Sequence, residues 1–445
     1  MSQKKIVILG AAESGAGAAL LARKQGYDVF VSDAGEIKPQ YLKVLKDNNI
    51  PFESGMHTKS EILSATEVIK SPGIPDQAAI IRSISEKGIP VISELEFAYR
   101  FTDAKMICIT GTNGKTTTTL LTYHLLKKAG FNVGLGGNIG KSFALQVAEN
   151  DFDHYVLEVS SFQLDGMFDF KADISILTNI TPDHLDRYNN NFQHYIDSKF
   201  RITQNQTGSD RFIYCADDEI TMKEISKRNL NMQMHPFSIY KKEGMTAYLE
   251  NELLTIQLNN QFTMSIKDLA LQGKHNLYNS MASGIAARAL EIRKDVVRES
   301  FADFENIEHR LEFVNTVHGI DFINDSKATN VNSTWYALES MQKPVIWIAG
   351  GVDKGNDYAM LTELVKHHVR AIVCLGKDNS KIIEAFKSVI PEIVETENAT
   401  DAVREAYKLG KKGDVVLLSP CCASFDLFEN YEDRGRQFKA AVRAL

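Results

Sequence analysis

The sequence predicts an α/β protein of three domains: a Rossmann-like N-terminal domain, a P-loop-type central domain and a Rossmann-like C-terminal domain. Three observations carry this. Short apolar runs alternate with helical segments along nearly the whole chain. The 445 residues amount to about three domains at roughly 150 residues each. A Gly-rich turn, Gly111-Thr112-Asn113-Gly114-Lys115-Thr116-Thr117, follows the apolar run Met106–Ile109. Strand, turn and helix in that order form a device that holds nucleotide phosphates on backbone N–H groups.

The elements follow in order. Lys5–Leu9 is a short apolar strand, then Gly10, Gly15 and Gly17 lead into an Ala/Leu-rich helix to about Gln25. Val29–Ser32 is the next strand and ends at Asp33, a βαβ opening. The glycine spacing is not G-x-G-x-x-G, and Glu13 sits where a dinucleotide diphosphate would lie. A modified nucleotide or nucleotide-sugar site fits better than NAD. VIKSPGIP (68–75) is a strand ending in a Pro-Gly turn, and IPVISELEF (89–97) a short strand leading to the phosphate loop. The first domain is therefore 1–93.

The second, 94–303, carries buried-type strands at Met106–Ile109, Tyr155–Val159, Ile174–Asn179 and Phe212–Cys215. Met234 to Asp268 alternates as antiparallel strands do, and a small-residue helix follows over 276–290. The third, 304–445, opens on a hairpin around His318-Gly319. It continues with strands at Val345–Ala349, Ala371–Leu375 and Val415–Leu418 between helical segments.

Composition excludes several classes. With 44% hydrophobic and 24% charged residues the chain is globular. No apolar stretch approaches the roughly 20 residues of a membrane span. The start, MSQKKIVILG, shows no cleavable signal pattern. The five cysteines lack metal-ligand spacing and read as reduced thiols. A net charge of −7 argues against general nucleic-acid binding. The expectation is a cytoplasmic monomer, without membrane insertion or nucleic acid, acting on small molecules.

Polar clusters gather at strand ends, where α/β sheets place ligands. Lys115 and the Thr116 hydroxyl suit ATP and its Mg²⁺. Glu158, ending a strand, is placed either to bind Mg²⁺ or to cap the following helix. Asp183, His184 and Asp186 follow another strand and add metal-ligand chemistry. Lys199 lies in a helical segment that composition alone would not select. Asn276 and Asn279 open a helix as caps or as nucleobase contacts. Arg310 can clamp a phosphate bidentately. Asp325, Ser326, Lys327, Thr329 and Asn330 crowd one loop.

Taken together, GTNGKTTTT, GGNIG (136–140), LEVSSFQL (157–164), NITPDHLDRY with Lys199, GKHN, EHR, NDSKATN, GGVDK and SPCCASFDLFENYEDRG resemble the Mur ligases of bacterial cell-wall synthesis, in family order over the whole chain. NDSKATN and SPCCASFD…RG favour the branch that adds D-glutamate. The resemblance implies ATP-dependent joining of D-glutamate to UDP-N-acetylmuramoyl-L-alanine through an acyl phosphate, in peptidoglycan precursor synthesis. It implies that Gly111, Thr112, Asn113, Gly114, Lys115, Thr116, Thr117, Asn276, Arg310 and Asp325 hold ATP. Thr116 and Glu158 would bind one Mg²⁺. His184, supported by Lys199 as a carbamate, would bind a second. Lys115, Asn138, His184 and Lys199 would act at the reacting groups. Ser14, Gly15, Asp33, Ser71, Gly73, Asn138, Ser160 and Gln163 would hold the UDP-sugar, and Lys327, Thr329, Lys354, Ser424, Phe425 and Tyr431 the D-glutamate.

Two departures stand out. Ala34-Gly35 follow Asp33 where some relatives carry a Thr-Arg pair that holds the uridine nucleotide. Tyr431 occupies a position that can be Phe. Other readings are another Mur-type amino-acid ligase, a folylpolyglutamate synthase, a NAD-dependent oxidoreductase and a nucleotide-switch protein.

Overall fold

The computed structural model describes residues 4–240, 243–304 and 308–445. Residues 241 and 242, within the stretch read as antiparallel, lie outside the described residues. The chain divides into two compact units, Met1–Phe304 and Glu305–Leu445. The first holds two sheets and the second holds one.

The first sheet contains β1 (Lys5–Leu9), β2 (Asp28–Asp33), β3 (Phe52–Ser54), β4 (Glu67–Lys70) and β5 (Val91–Ile92). All pair in parallel, in the order β3-β2-β1-β4-β5. The order reverses at β1, so a crevice opens at the carboxyl end of Leu9. Ile6, Val7, Ile8 and Leu9 are all buried, because a parallel sheet is covered on both faces. The helix Glu13–Lys24 lies close against β1. A Cβ at Gly15 would stand 1.8 Å from the Gly10 carbonyl oxygen. The strand read in 89–97 shrinks to Val91–Ile92. Ser93 then caps a helix, Glu94–Tyr99, by accepting the Glu96 N–H at 3.2 Å. The Ser-x-x-Glu spacing of an N-cap won over the apolar run.

The second sheet runs β6 (Lys105–Thr110), β7 (Val133–Gly137), β8 (His154–Glu158), β9 (Ile174–Leu177), β10 (Arg211–Cys215), β11 (Gln233–Ser238), β12 (Ala247–Glu250), β13 (Leu253–Ile256) and β14 (Phe262–Ser265). Its order is β14-β13-β12-β11-β10-β9-β6-β8-β7. β6 lies between β8 and β9, so three strand ends converge on the turn after Thr110. One expectation is corrected. The first strand of the stretch Met234 to Asp268 is not part of an antiparallel set: β11, which contains Met234, pairs in parallel with both β10 and β12. Only β12, β13 and β14 are antiparallel. Side-chain alternation reports a half-buried strand, and says nothing of the direction of its neighbour.

The second unit contains β15 (Glu312–Val317), β16 (Ile320–Asn324), β17 (Val345–Gly350), β18 (Val369–Leu375), β19 (Ile393–Thr396) and β20 (Val415–Cys421). The order is β15-β16-β20-β17-β18-β19, parallel except for the β15–β16 hairpin. The hairpin turns at His318 and Gly319, with φ of 48° and 83°. Two successive positive φ values match the right-handed twist of the flanking strands. Trp347, fully buried in β17, anchors this core and donates its indole N–H to Ser419 O at 2.8 Å.

Among the described residues no helix is long and apolar enough to cross a membrane. Gly15→Ala is expected to destabilise the first unit by about 1–3 kcal/mol, because the new methyl meets backbone that cannot yield. Thermal unfolding followed by far-UV circular dichroism would measure this, and an unchanged melting temperature would contradict the close approach.

Candidate active site

The phosphate turn is held by hydrogen bonds from the protein itself. Gly114 caps the helix Lys115–Lys128 at φ 82°, a left-handed conformation that glycine adopts without strain. A Cβ there would meet Asn279 Oδ1 at 2.5 Å. Thr178 Oγ1 donates to Asn113 O at 2.6 Å, and Asn179 Nδ2 to the same oxygen at 3.1 Å. The Thr112 and Asn113 amides donate to Asn179 O and Oδ1 at 2.9 and 3.0 Å. The loop is thereby stitched to the segment leaving β9. Lys115 Nζ donates to Gly111 O at 2.9 Å and to Thr112 O at 2.8 Å, so its charge lies inside the turn. The first amides of a helix have no intrahelical partner and favour an anion there.

At the mouth of the turn, Thr116 Oγ1 donates to Glu158 Oε2 at 2.7 Å. Asn138 Nδ2 donates to Glu158 Oε1 at 2.8 Å, and its backbone N–H to Glu158 O, also at 2.8 Å. The buried carboxylate at the end of β8 thus joins two other residues named from the sequence, Thr116 and Asn138. Its bonds run to Thr116 and Asn138, and Ser160 instead caps the following helix. Ser160 and Gln163 are locked in a reciprocal capping box.

Lys199, on the helix Phe192–Phe200, is fully buried. Its Nζ donates to Thr110 Oγ1 at 3.2 Å and lies 5.3 Å from the centre of the Tyr195 ring. Burial, with the charge of Lys115 adding to it, holds the amine well below the usual lysine range. Tyr195 OH in turn lies 3.1 Å from Thr112 Oγ1, which ties this helix to the phosphate turn. His184 is left-handed at φ 52°, its side chain about one-third exposed. Its ring packs edge-on against Phe162 at 5.2 Å. Arg187 lies over the same Phe162 ring at 4.3 Å.

The helix Lys274–Ala289 supplies Asn276 and Asn279. Asn276 turns back to donate to Gln272 O at 2.9 Å. Asn279, read from sequence as a cap or base contact, is buried instead against the phosphate turn and accepts the Thr118 hydroxyl at 3.2 Å. Thr178, Asn179, Tyr195 and the turn-supporting role of Asn279 were not anticipated. The polar pair ending the run Ile176-Leu177 was the one available signal for Thr178 and Asn179.

At the first sheet, Asp33 holds its own loop: Oδ2 accepts the Ala11 N–H at 2.6 Å and Oδ1 the Gly35 N–H at 2.8 Å. Ser71 Oγ donates to Gly10 O at 3.3 Å. Ser14 and Gly15 lie in the first turn of the helix beginning at Glu13. The Glu13 carboxylate, which sequence placed against a diphosphate, accepts the Ser142 N–H at 3.3 Å. Gly73 belongs to the turn after β4, with open space around it.

The second unit has its own polar centre. Asp325, fully buried, accepts the Ser419 hydroxyl at 2.8 Å and the Leu311 N–H at 3.2 Å. Burial pushes its carboxyl up to about 7, against the pull of Arg310 and Arg434. Lys327 Nζ donates to Tyr431 OH at 2.9 Å and lies 4.6 Å from that ring's centre. Buried Arg434 donates to Ser326 Oγ, Ser326 O and Cys422 O at 3.0, 2.8 and 3.2 Å. It thereby fixes the Lys327 loop against the turn that leads to Ser424. Ser424 is buried, Thr329 half-buried, and Phe425 and Lys354 exposed.

Comparison with known proteins agrees along the whole chain. Family profiles described as Mur ligase MurD-like N-terminal domain, Mur ligase middle domain, and Mur ligase glutamate ligase domain match residues 4–93, 109–287 and 309–422. A Bacteroides fragilis protein named UDP-N-acetylmuramoylalanine--D-glutamate ligase is 57% identical over 443 residues, covering 99% of this chain and 100% of that one. A Salinibacter ruber protein of the same name is 41% identical, covering 99% and 98%. The solved structure of UDP-N-acetylmuramate-alanine ligase from Thermotoga maritima is similar in fold, with a TM-score of 0.64 at 19% identity over 99% of each chain. A folylpolyglutamate synthase from Mycobacterium tuberculosis has a TM-score of 0.59 at 15% identity, over 79% of this chain and 92% of that one.

Asn279→Ala is expected to weaken nucleoside triphosphate binding about tenfold, close to the ~1.4 kcal/mol of one well-placed hydrogen bond. Isothermal titration with a non-hydrolysable analogue would read it, and unchanged affinity would remove Asn279 from the support of the turn. Asp325 predicts a pH dependence. Its folded pKa lies above the ordinary carboxylate value, so the folded state holds that proton more tightly. Its contribution to stability is present at low pH and is lost as pH rises towards about 7. The melting temperature of Asp325→Asn, relative to the native chain, should therefore rise between about pH 4 and pH 7. A constant difference would contradict it.

Proposed function

The chain belongs to the Mur ligase family, and from that premise we propose that it joins D-glutamate to UDP-N-acetylmuramoyl-L-alanine in an ATP-driven reaction through an acyl phosphate. The linked set Thr116–Glu158–Asn138 at the mouth of the phosphate turn carries the reaction class. The names of the full-length relatives support D-glutamate as the amino acid.

A free carboxylate is a poor acyl donor, because its leaving group would be an oxide. In the proposed first stage a carboxylate oxygen of the substrate bonds to the γ-phosphorus, and the bond from that phosphorus to ADP breaks. In the second, the D-glutamate nitrogen bonds to the acyl carbon, the carbon–oxygen bond breaks, inorganic phosphate leaves, and the amine loses a proton. Lys115 and the helix N-terminus offset the charge of two approaching anions. Asn138, held by Glu158, is proposed to orient the reacting carboxylate.

The Thr116 hydroxyl and Glu158 carboxylate are hard oxygen donors in direct contact, a set that fits Mg²⁺. In this proposal Thr116 and Glu158 would hold one Mg²⁺ and His184 with the Lys199 carbamate a second, and the ions would supply positive charge opposite the phosphates. Carbamate formation needs a neutral amine, and the burial that holds Lys199 low in pKa favours one.

Ser14, Gly15, Asp33, Ser71, Gly73, Ser160 and Gln163 are proposed for the UDP-sugar, with Ala34 and Gly35 offering backbone alone to the uridine. Gly111 to Thr117, Asn276, Arg310 and Asp325 are proposed for ATP. Lys327 is proposed to leave Tyr431 for a D-glutamate carboxylate, flanked by Thr329, Lys354, Ser424 and Phe425. Domain limits of 1–93, 94–303 and 304–445, a cytoplasmic location and a monomeric state complete the proposal.

Phosphate release with UDP-N-acetylmuramoyl-L-alanine, ATP and a panel of amino acids tests the reading. Turnover with D-glutamate is expected. Turnover with L-alanine or a diamino acid and none with D-glutamate would overturn it. Lys199→Ala is expected to lose about a hundredfold or more in kcat, with partial recovery on adding short carboxylates. Full activity in that variant would remove the carbamate.

A further inference from the structure

Ser142 ends the loop that carries Asn138, and more groups converge on it than a helix cap requires. It caps the helix Phe143–Glu149 by accepting the Leu145 N–H at 3.1 Å. Its hydroxyl proton goes to Glu94 Oε1 at 2.6 Å. The same carboxylate oxygen accepts the Ala144 N–H at 2.7 Å. The Ser142 N–H is directed at Glu13, the first residue of the helix that carries Ser14 and Gly15. That helix packs so closely here that a Cβ at Gly17 would stand 2.1 Å from Ser142 Oγ. Glu94 is itself 4% exposed and lies just beyond the last strand of the first sheet.

The loop between Gly136 and Ser142 is held at both ends. Glu158 grips Asn138 through its backbone and its side-chain amide. Gln146 donates to Leu135 O at 2.8 Å and to Lys141 O at 3.0 Å across the neck of the loop. Glu94 secures the far end. A buried carboxyl without a cationic partner is tolerated only when donors satisfy its oxygens, and here the Ser142 hydroxyl and the Ala144 N–H do so. Glu94 shares the capping of this helix with Ser142, taking the Ala144 N–H while Ser142 takes that of Leu145, and it alone also takes the Ser142 hydroxyl proton, which fixes the rotamer of the residue that ends the loop.

We propose that Glu94 is a positioning residue: acting through Ser142, it sets the place of Asn138 and so supports the reaction without touching substrate. The same contacts tie that loop to the helix that opens the nucleotide-sugar side of the first sheet. The inference rests on the role proposed above for Asn138. Burial, with Glu13 adding to it, pushes the Glu94 carboxyl up to about 7, so a neutral glutamine is a close isostere whose carbonyl oxygen can accept both donors.

The test combines amide hydrogen exchange with kinetics on the full chain. In Glu94→Ala, exchange over 136–142 is expected to rise about tenfold, while exchange over 111–118 stays as in the native protein. A displaced Asn138 should lower kcat about tenfold to a hundredfold and raise KM for the UDP-sugar, leaving KM for ATP unmoved. Glu94→Gln should recover most of both. Combining Glu94→Ala with Asn138→Ala should give no loss beyond Asn138→Ala alone, since the two act through one group. Unchanged exchange over 136–142, multiplying losses, or equal changes in both KM values would overturn the proposal. If Glu94→Ala does not fold, Ser142→Ala carries the same measurements. If the native chain shows no turnover with D-glutamate, the functional reading fails, while the exchange result still decides this one.

Discussion

The hydrogen-bonded hold of the segment after β9 on the phosphate turn is the constraint on which the rest of the first unit depends. A turn that presents amides to an anion must keep its carbonyls out of the way. Thr178 and Asn179 do this by taking the Asn113 carbonyl, while Lys115 takes those of Gly111 and Thr112. The burial of β6 between two parallel neighbours sets where the turn begins. Asn279, arriving on a helix more than 150 residues later in the chain, closes the back of it. A preorganised turn of this kind need not rearrange when charge develops on a phosphate.

Buried charge is handled differently in the two units. In the first, Glu158 and Lys199 are desolvated close to the turn, and each is satisfied by hydroxyls or an amide. The second unit buries Arg434 with only neutral oxygens bonded to it, an arrangement that draws separate loop segments together. Asp325 shares that interior, and its ionisation is suppressed by burial more than it is helped by nearby arginines. Perturbed groups at strand ends beside polar loops are candidates for functional sites.

Much of the site was readable because strand ends are readable. Glu158, His184, Asp325 and Lys327 each follow an apolar run, and the carboxyl ends of parallel strands are where such sheets place ligands. Lys199 was named only through family resemblance, since a lysine on a helix is ordinarily solvated. The supporting contacts were not readable at all. Tyr195 reaches Thr112 across 83 positions, and Glu94 reaches Ser142 across 48. Pairings of that kind leave no periodic trace, because they arise from how helices lie on a sheet. The direction of β11 was misread for a related reason: alternation is a property of one strand, and pairing belongs to two.

The sequence by itself determined the α/β class, most of the strands of each sheet though not β3, β7 or β19, the phosphate turn and the acidic and basic groups near it in the chain. These follow from local periodicity, glycine placement and the chemistry of adjacent residues. Tertiary structure alone decided which groups meet. It turned Glu13 towards Ser142, buried Asn279 against Gly114, and took water away from Lys199 and Asp325. The physical reason is that desolvation and hydrogen-bond geometry depend on neighbours distant in the chain, and it is these that turn a lysine or an aspartate into a group with a changed affinity for its proton.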